Sequence, residues 1–197
     1  MKPIGCGLHL LIFAVVAVLS LAAAKTAGAS APDNGVYQFT MKNIDGKDVP
    51  LSKYHGKVLL IVNVASLCGN TPQYAKLEEI YKTYRKQGLC ILGFPANNFA
   101  SQEPGNDQQI KQFCTSTYHV SFDMFSKISV KGDDMDPLYK YLTDKTTDPQ
   151  FGGDIDWNFA KFIIGRDGQI LARFPAHEAP DTPEVITAIQ TALAQKS

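Results

Sequence analysis

Hydrophobic and polar positions along this chain follow two periods, and the places where the period changes mark its elements. Residues 57–64, Lys-Val-Leu-Leu-Ile-Val-Asn-Val, form a nearly unbroken apolar run rich in β-branched side chains. That pattern predicts a strand buried on both faces, as in a parallel sheet. Downstream, Tyr74, Leu77, Ile80, Tyr81 and Tyr84 recur at helical spacing, with Lys76, Glu78, Glu79, Lys82 and Arg85 on the other side and Gly88 as a stop. Residues 89–94 return to the buried-strand pattern, so strand, helix and strand make a βαβ crossover. Upstream, residues 36–51 alternate about Asp45-Gly46, which predicts a hairpin between Tyr37-Gln38-Phe39 and Val49-Pro50-Leu51.

Asn106 is placed to cap a helix whose inward face carries Ile110, Phe113, Cys114 and Thr117, with Gln109 completing a capping box. Asp136-Pro137 opens a shorter helix through Leu142, since proline is tolerated in a first turn. Residues 161–164 and 169–174 flank Gly165-Arg166-Asp167-Gly168 as a second hairpin. A final helix starts at Asp181-Thr182-Pro183-Glu184 and turns Val185, Ile186, Ile189 and Leu193 inward. This order of elements predicts an α/β fold with a central mixed β-sheet flanked by α-helices, and a thioredoxin-like architecture fits it best.

The N-terminus does not belong to that pattern. Lys2 precedes an apolar stretch over about 8–24, followed by small residues that offer Ala22-Ala23-Ala24, Ala27-Gly28-Ala29 and Ala29-Ser30-Ala31 as cleavage sites. Residues 1–31 read as a secretory signal peptide, with an uncleaved membrane anchor as the rival, because the run sits at the lower edge of a bilayer span. Export through the secretory pathway, free or anchored, follows from either. The remainder, 32–197, is long enough for one well-buried domain. Its charges balance, 19 basic against 19 acidic over the whole chain, so nothing in the net charge suggests a nucleic-acid partner.

Four cysteines remain to be read. Cys6 precedes the apolar run, which leaves Cys68, Cys90 and Cys114, an odd number that argues for at least one working thiol instead of a stapled scaffold. Cys-x-x-Cys pairs are absent and the four histidines are scattered, so neither a metal site nor a bound cofactor is expected. Cys68 sits where the first buried strand hands over to a helix, and a thiol there meets unpaired amides that favour the thiolate. From position alone, a small buried hydrophobe is an equally good reading of Cys68. Cys90, inside a buried strand, reads as core.

The stretch 63–74, which contains Asn63-Val64-Ala65-Ser66-Leu67-Cys68-Gly69-Asn70-Thr71-Pro72, is the first of three motifs that narrow the reading. The second is Leu92-Gly93-Phe94-Pro95-Ala96-Asn97-Asn98-Phe99 followed by Gln102-Glu103-Pro104-Gly105, and the third is Trp157-Asn158-Phe159. Together, and in this order, they resemble the signature blocks of the glutathione peroxidase family, with the similarity running from about Val36 to the C-terminus. The resemblance implies a peroxidatic Cys68 beside Gln102, Trp157 and Asn158. Amide and indole N–H groups suit that role, because they can stabilise a sulfur anion and orient a peroxide without adding charge. The glycines of Phe151-Gly152-Gly153 would let the third motif fold over the sulfur.

Further implications follow from the same resemblance. Cys114 falls where thioredoxin-dependent members carry their resolving cysteine, although its place on an apolar helix face means the helix must unwind before it can pair. Two positions depart from the family pattern: Ala96 stands where Cys is frequent, and Asn98 where Gln is frequent. The short interval from Leu142 to Trp157 resembles members without the extra loop of tetrameric forms, which implies a monomer with an open site, accessible to lipid hydroperoxides or a membrane surface. The leading expectation is a thiol peroxidase recycled by thioredoxin or glutathione. A redox sensor that passes a disulfide to a partner protein is the alternative, and an inert thioredoxin-like binding module a third. A peroxiredoxin is disfavoured because Ala65 occupies the place of the threonine in a Thr-x-x-Cys motif.

Overall fold

The apolar run becomes the centre of the molecule. The structure is a computed structural model that describes Met1 and residues 34–146 and 148–195. The expected targeting segment therefore lies outside the described residues, Met1 apart. No helix among the described residues is long and apolar enough to cross a membrane.

Among the described residues, seven strands and four α-helices follow in the order β1 (Thr40–Lys42), β2 (Asp48–Pro50), β3 (Val58–Val64), α1 (Gln73–Tyr84), β4 (Leu89–Pro95), α2 (Asp107–Tyr118), β5 (Asp123–Met124), α3 (Pro137–Thr143), β6 (Lys161–Ile164), β7 (Ile170–Phe174) and α4 (Pro183–Ala194). The main sheet has the order β5-β4-β3-β6-β7. Strand β3 runs parallel to β4 and antiparallel to β6, so the sheet is mixed, as the pattern predicts. Every residue of β3 is buried. Leu59 and Ile61 face one core layer, with α3 and with Val36, Tyr37, Met41, Leu51 and Tyr54, while Val58, Leu60 and Val62 face the other, with α1, α2 and α4. Each large aliphatic side chain hidden this way contributes roughly 1.5–3 kcal/mol. A truncation such as Leu60→Ala would cost about 2–5 kcal/mol, since a cavity adds to the lost transfer energy.

Local signals set the ends of the elements. Asn106 accepts from the Gln109 amide at 3.0 Å and Gln109 accepts from the Asn106 amide at 2.9 Å, the reciprocal capping box at the start of α2. Thr182 caps α4, and Asp136 caps α3 with proline in its first turn. Gly88 adopts φ +107° at the end of the short 3-10 turn after α1, a conformation glycine reaches without Cβ strain.

The structure corrects five details. Tyr37 and Gln38 lie in a 3-10 helix, Gly35–Gln38, so the first hairpin starts only at Thr40; Leu51 likewise opens a second 3-10 turn, Leu51–Tyr54. Glu78, expected outside, is 3% exposed because Ser121 satisfies both carboxylate oxygens, through its amide at 2.8 Å and its hydroxyl at 2.6 Å, and Lys82 pairs with it. Thr117 is exposed where an inward position was expected, since α2 buries only Ile110 and Cys114 fully. Strand β5 was not predicted; two residues are too few to display an alternation. Cys90 is half-buried, not enclosed, because it packs at the margin of the core layer that holds Leu59 and Leu92.

Candidate active site

Cys68 lies beyond the C-terminal end of β3, in a tight turn that precedes α1. Its amide donates to Thr71 Oγ1 at 2.9 Å, and the Thr71 hydroxyl donates to the Ala65 carbonyl at 2.9 Å, which fastens the turn around the cysteine. The Cys68 sulfur accepts the Asn70 amide at 3.3 Å. That donor belongs to the turn, not to the first turn of α1, which begins at Gln73. The structure thus corrects the expectation of a helix-end amide: the sulfur meets a turn amide, because α1 starts five residues after Cys68.

A second loop is held against the first. The Leu67 amide donates to the Gln102 carbonyl at 3.0 Å, and Ser66 Oγ donates to Glu103 Oε2 at 3.0 Å. Glu103 is 1% exposed; burial pushes its carboxyl above the usual range, and the hydrogen bonds from Ser66 and the Lys127 charge oppose that rise. Lys127 anchors the same loop from beneath, donating to the carbonyls of Glu103 and Gly105 at 3.1 and 2.6 Å. Ala100 and Ser101 take φ +50° and +52°, an uncommon pair of left-handed non-glycine residues that turns Gln102 towards the cysteine loop.

The third motif arrives from the turn before β6. Asn158 is fully buried and donates to Gln102 Oε1 at 3.0 Å, while its own carbonyl accepts Asn70 Nδ2 at 3.2 Å. Asn158 Oδ1 is buried with no hydrogen-bond partner. Trp157 is 39% exposed and packs on Phe99 with ring centroids 5.5 Å apart. The glycines before it serve the loop, not the sulfur: a Cβ on Gly152 would lie 2.8 Å from backbone atoms of Lys145, and Gly153 takes φ +112°. Arg173 donates to the carbonyls of Phe151, Gly153 and Asp154 and so fixes this segment from β7.

Hydrogen bonds therefore link the loops of Cys68, Gln102 and Asn158 into one unit, as the motifs predict, with Trp157 at its rim. Among the described residues, neither Gln102 Nε2 nor the Trp157 indole N–H donates to the protein, so both remain available to a ligand. Asn98 does not join them. Its side chain bonds Ser129, Val130 and Lys131, bracing a separate loop. Asn70, Thr71, Asn63 and Glu103 were missed as site residues although each sits inside a recognised motif; the signal was present, but single-residue roles hid in the spacing.

Cys114 is 1% exposed on α2, in the same core layer as Cys68 and Tyr74. Burial pushes its thiol up to about 11. The Tyr74 hydroxyl lies close enough to oppose that shift, yet it is itself buried without a full hydrogen-bond partner. Cys68, Cys90 and Cys114 are all free thiols. Cys90 packs with the opposite core layer, which separates it from the other two.

Comparison with known proteins decides the family, since the glutathione peroxidase family model matches residues 36–143. The chain belongs to the glutathione peroxidase family. It is 45% identical over 174 residues to the thioredoxin/glutathione peroxidase BtuE of Escherichia coli strain K12, covering 79% of this chain and 95% of that one. It is 46% identical to a glutathione peroxidase-like peroxiredoxin of Schizosaccharomyces pombe, covering 74% and 91% of the two chains. A hydroperoxy fatty acid reductase of Synechocystis is 44% identical, over 76% of this chain and 91% of its own. Among solved structures, that of T. cruzi GPX1 superposes with TM-score 0.62 at 34% identity, covering 81% of this chain and 96% of that one. A thiol:disulfide interchange protein of Chlorobium tepidum TLS, at 15% identity and TM-score 0.58 over 79% and 93% of the chains, shows the thioredoxin-like fold alone. Family membership makes the chain a peroxidase.

Proposed function

We propose that this peroxidase reduces hydrogen peroxide and organic or lipid hydroperoxides through Cys68, resolves the product with Cys114, and is recycled by thioredoxin or a related thiol. The observation that carries the reading is the unit of hydrogen-bonded loops around Cys68, with an amide on the sulfur and two unused side-chain donors, Gln102 Nε2 and Trp157 Nε1, on the adjoining loops. In the first step the Cys68 thiolate attacks one peroxide oxygen and the O–O bond breaks. The leaving alkoxide takes a proton, giving the alcohol or water and Cys68 sulfenic acid. Neutral N–H donors stabilise the charge that develops on the leaving oxygen without competing for the thiolate. Cys114 then attacks the sulfenic sulfur, water leaves, and the Cys68–Cys114 disulfide forms. An external dithiol reduces it by exchange.

An apolar rim supports a hydrophobic substrate. Apart from Met1, the large hydrophobic residues exposed among those described are Leu67, 65%, and Trp157, both on loops of the site. The names of the relatives agree with this substrate class and with a thiol reductant. Export by the N-terminal segment and a monomeric state complete the proposal, on the sequence pattern of residues 1–31 and the short interval before Trp157. The test is steady-state consumption of a lipid hydroperoxide by the mature chain, with thioredoxin against glutathione as reductant. Turnover with thioredoxin supports the relay, whereas consumption that survives Cys68→Ser overturns it.

A further inference from the structure

Lys161 is a charged side chain that the proposed chemistry does not use, and it is fully buried. Its Nζ donates to the carbonyls of Phe159 at 2.7 Å, Glu178 at 2.6 Å and Pro175 at 3.5 Å. A buried ammonium is costly unless its protons are used, and here backbone oxygens from two separate turns take them. The first turn carries Trp157 and Asn158. Each of its residues is pinned through the main chain: Asn63 Nδ2 donates to the Trp157 carbonyl at 3.0 Å, Asn70 Nδ2 to that of Asn158, and the Phe159 amide to the Asn63 carbonyl at 2.6 Å.

The turn needs this many ties because Phe159 adopts φ +74°. A left-handed conformation is strained for a bulky residue and persists only when its surroundings impose it. The second turn is joined to the cysteine loop as well, since Asn70 Nδ2 and Gln73 Nε2 both donate to the Ala176 carbonyl, at 3.2 and 3.0 Å. Lys161 thus closes a ring of contacts that runs from the Phe159 turn, through the 175–178 turn, to Asn70, whose amide meets the Cys68 sulfur.

We propose that Lys161 is a positioning residue of the peroxidatic site: its ammonium clamps the strained turn of Trp157, Asn158 and Phe159 to the 175–178 turn, holding both in register with the Cys68 loop. This rests on the reading that Trp157 and Asn158 serve Cys68. The clamp is tightest when Lys161 is charged, because the neutral amine has only two protons to give to three carbonyls. Burial lowers its pKa to about 8, against the opposing pull of Glu178 and Asp156. Glu178 and Asp156 are the charged groups that act on it, and its strand neighbours Val62 and Phe174 are uncharged.

Trp157 is the only tryptophan in the chain and reports on the turn directly. In a Cys68→Ser background, which removes the thiol's own titration, Trp157 emission should change with a midpoint near pH 8. The change should vanish in Cys68→Ser/Lys161→Met. In the chain with Cys68 intact, Lys161→Met should slow the second-order reaction with peroxide by about 10-fold or more, the scale of losing a site donor. The emission titration needs no substitution at 161, so it remains decisive if Lys161→Met does not fold. A flat emission profile between pH 7 and 9, or a transition that persists in the double variant, overturns the clamp. A folded Lys161→Met that reacts at the wild-type rate overturns it too. In that case a Trp157→Phe variant that is slow leaves the peroxidatic reading standing, and one that is also unimpaired removes it.

Discussion

If Cys114 resolves Cys68 as proposed, its buried place within α2 implies that the C-terminal part of that helix opens, and the contacts there set what that costs. Tyr118 is the last residue of the helix and packs on Tyr74, with ring centroids 5.4 Å apart. His119 closes the helix at φ +53°, with its amide on the Cys114 and Thr115 carbonyls. An aromatic pair contributes about 0.5–1.5 kcal/mol beyond its area burial. Replacing Tyr118 by alanine therefore removes roughly 1 kcal/mol of resistance to opening, and resolution limited by that pre-equilibrium should quicken about fivefold. His119→Gly acts in the opposite direction. It relieves about 1 kcal/mol or more of left-handed strain in the closed helix, so the helix opens less and resolution slows by a similar factor. The assay is quenched-flow mass spectrometry after one equivalent of peroxide, following loss of Cys68 sulfenic acid and growth of the Cys68–Cys114 disulfide. Hydrogen exchange over 107–118 gives the opening free energy independently. If both variants resolve at the wild-type rate while exchange shows α2 loosened in one and tightened in the other, helix opening does not control the relay.

Four further outcomes follow from the geometry. Cys68→Ser should abolish peroxidase activity with the fold intact by circular dichroism, since a hydroxyl is similar in size but far less ionised; a tenth of the wild-type rate retained would move the nucleophile elsewhere. Trp157→Phe or Asn158→Ala should each slow the reaction of Cys68 with peroxide about 10-fold or more, measured by stopped flow, and unchanged constants in both would leave them as packing residues. Cys114→Ser should leave the first peroxide reduction nearly intact but abolish thioredoxin-supported turnover, with over-oxidised Cys68 accumulating in the mass spectrum. Folding stability should also report Cys114: its folded pKa of about 11 lies above the unfolded value, so its contribution, roughly 2–3 kcal/mol, is complete below pH 9 and disappears as pH rises towards 11. Urea titrations at pH 8 and 10.5 on the wild type and Cys114→Ala, which lacks that slope, check it.

Long apolar periodicity made most of the fold legible. Strands β3 and β4, helices α1 and α2 with the reciprocal Asn106–Gln109 cap, and the β6–β7 hairpin were readable because each satisfies its pattern over several residues. What escaped was decided by contacts distant in sequence. Glu78 looks like a solvent-facing helix residue until Ser121 arrives from the far side of α2 to receive it. Tyr37 reads as a strand residue by propensity, yet its hydroxyl donates to the Arg166 carbonyl at 3.0 Å, a tertiary contact that a local 3-10 turn serves better. At the site, motif resemblance brought Cys68, Gln102, Trp157 and Asn158 to notice, but not the residues that hold them, because a supporting role is defined by a partner and not by a residue type.

The support also bears on the charges near the sulfur, whose one hydrogen-bond partner among the described residues is the neutral Asn70 amide. Carboxylates near the site are kept from it: Glu103 is turned to Ser66 Oγ, and Asp107 accepts the Lys127 amide at 2.9 Å. The buried cation, Lys161, spends its protons on carbonyls instead of the thiolate. A charge beside the sulfur would bind the thiolate ground state as strongly as the transition state, and so would lower its reactivity along with its pKa. Keeping the ionic groups off the sulfur fixes the loops while leaving Gln102 Nε2 and the Trp157 indole N–H unused; under the proposed function these are uncharged donors whose hydrogen bonds would strengthen as the peroxide oxygen gains charge.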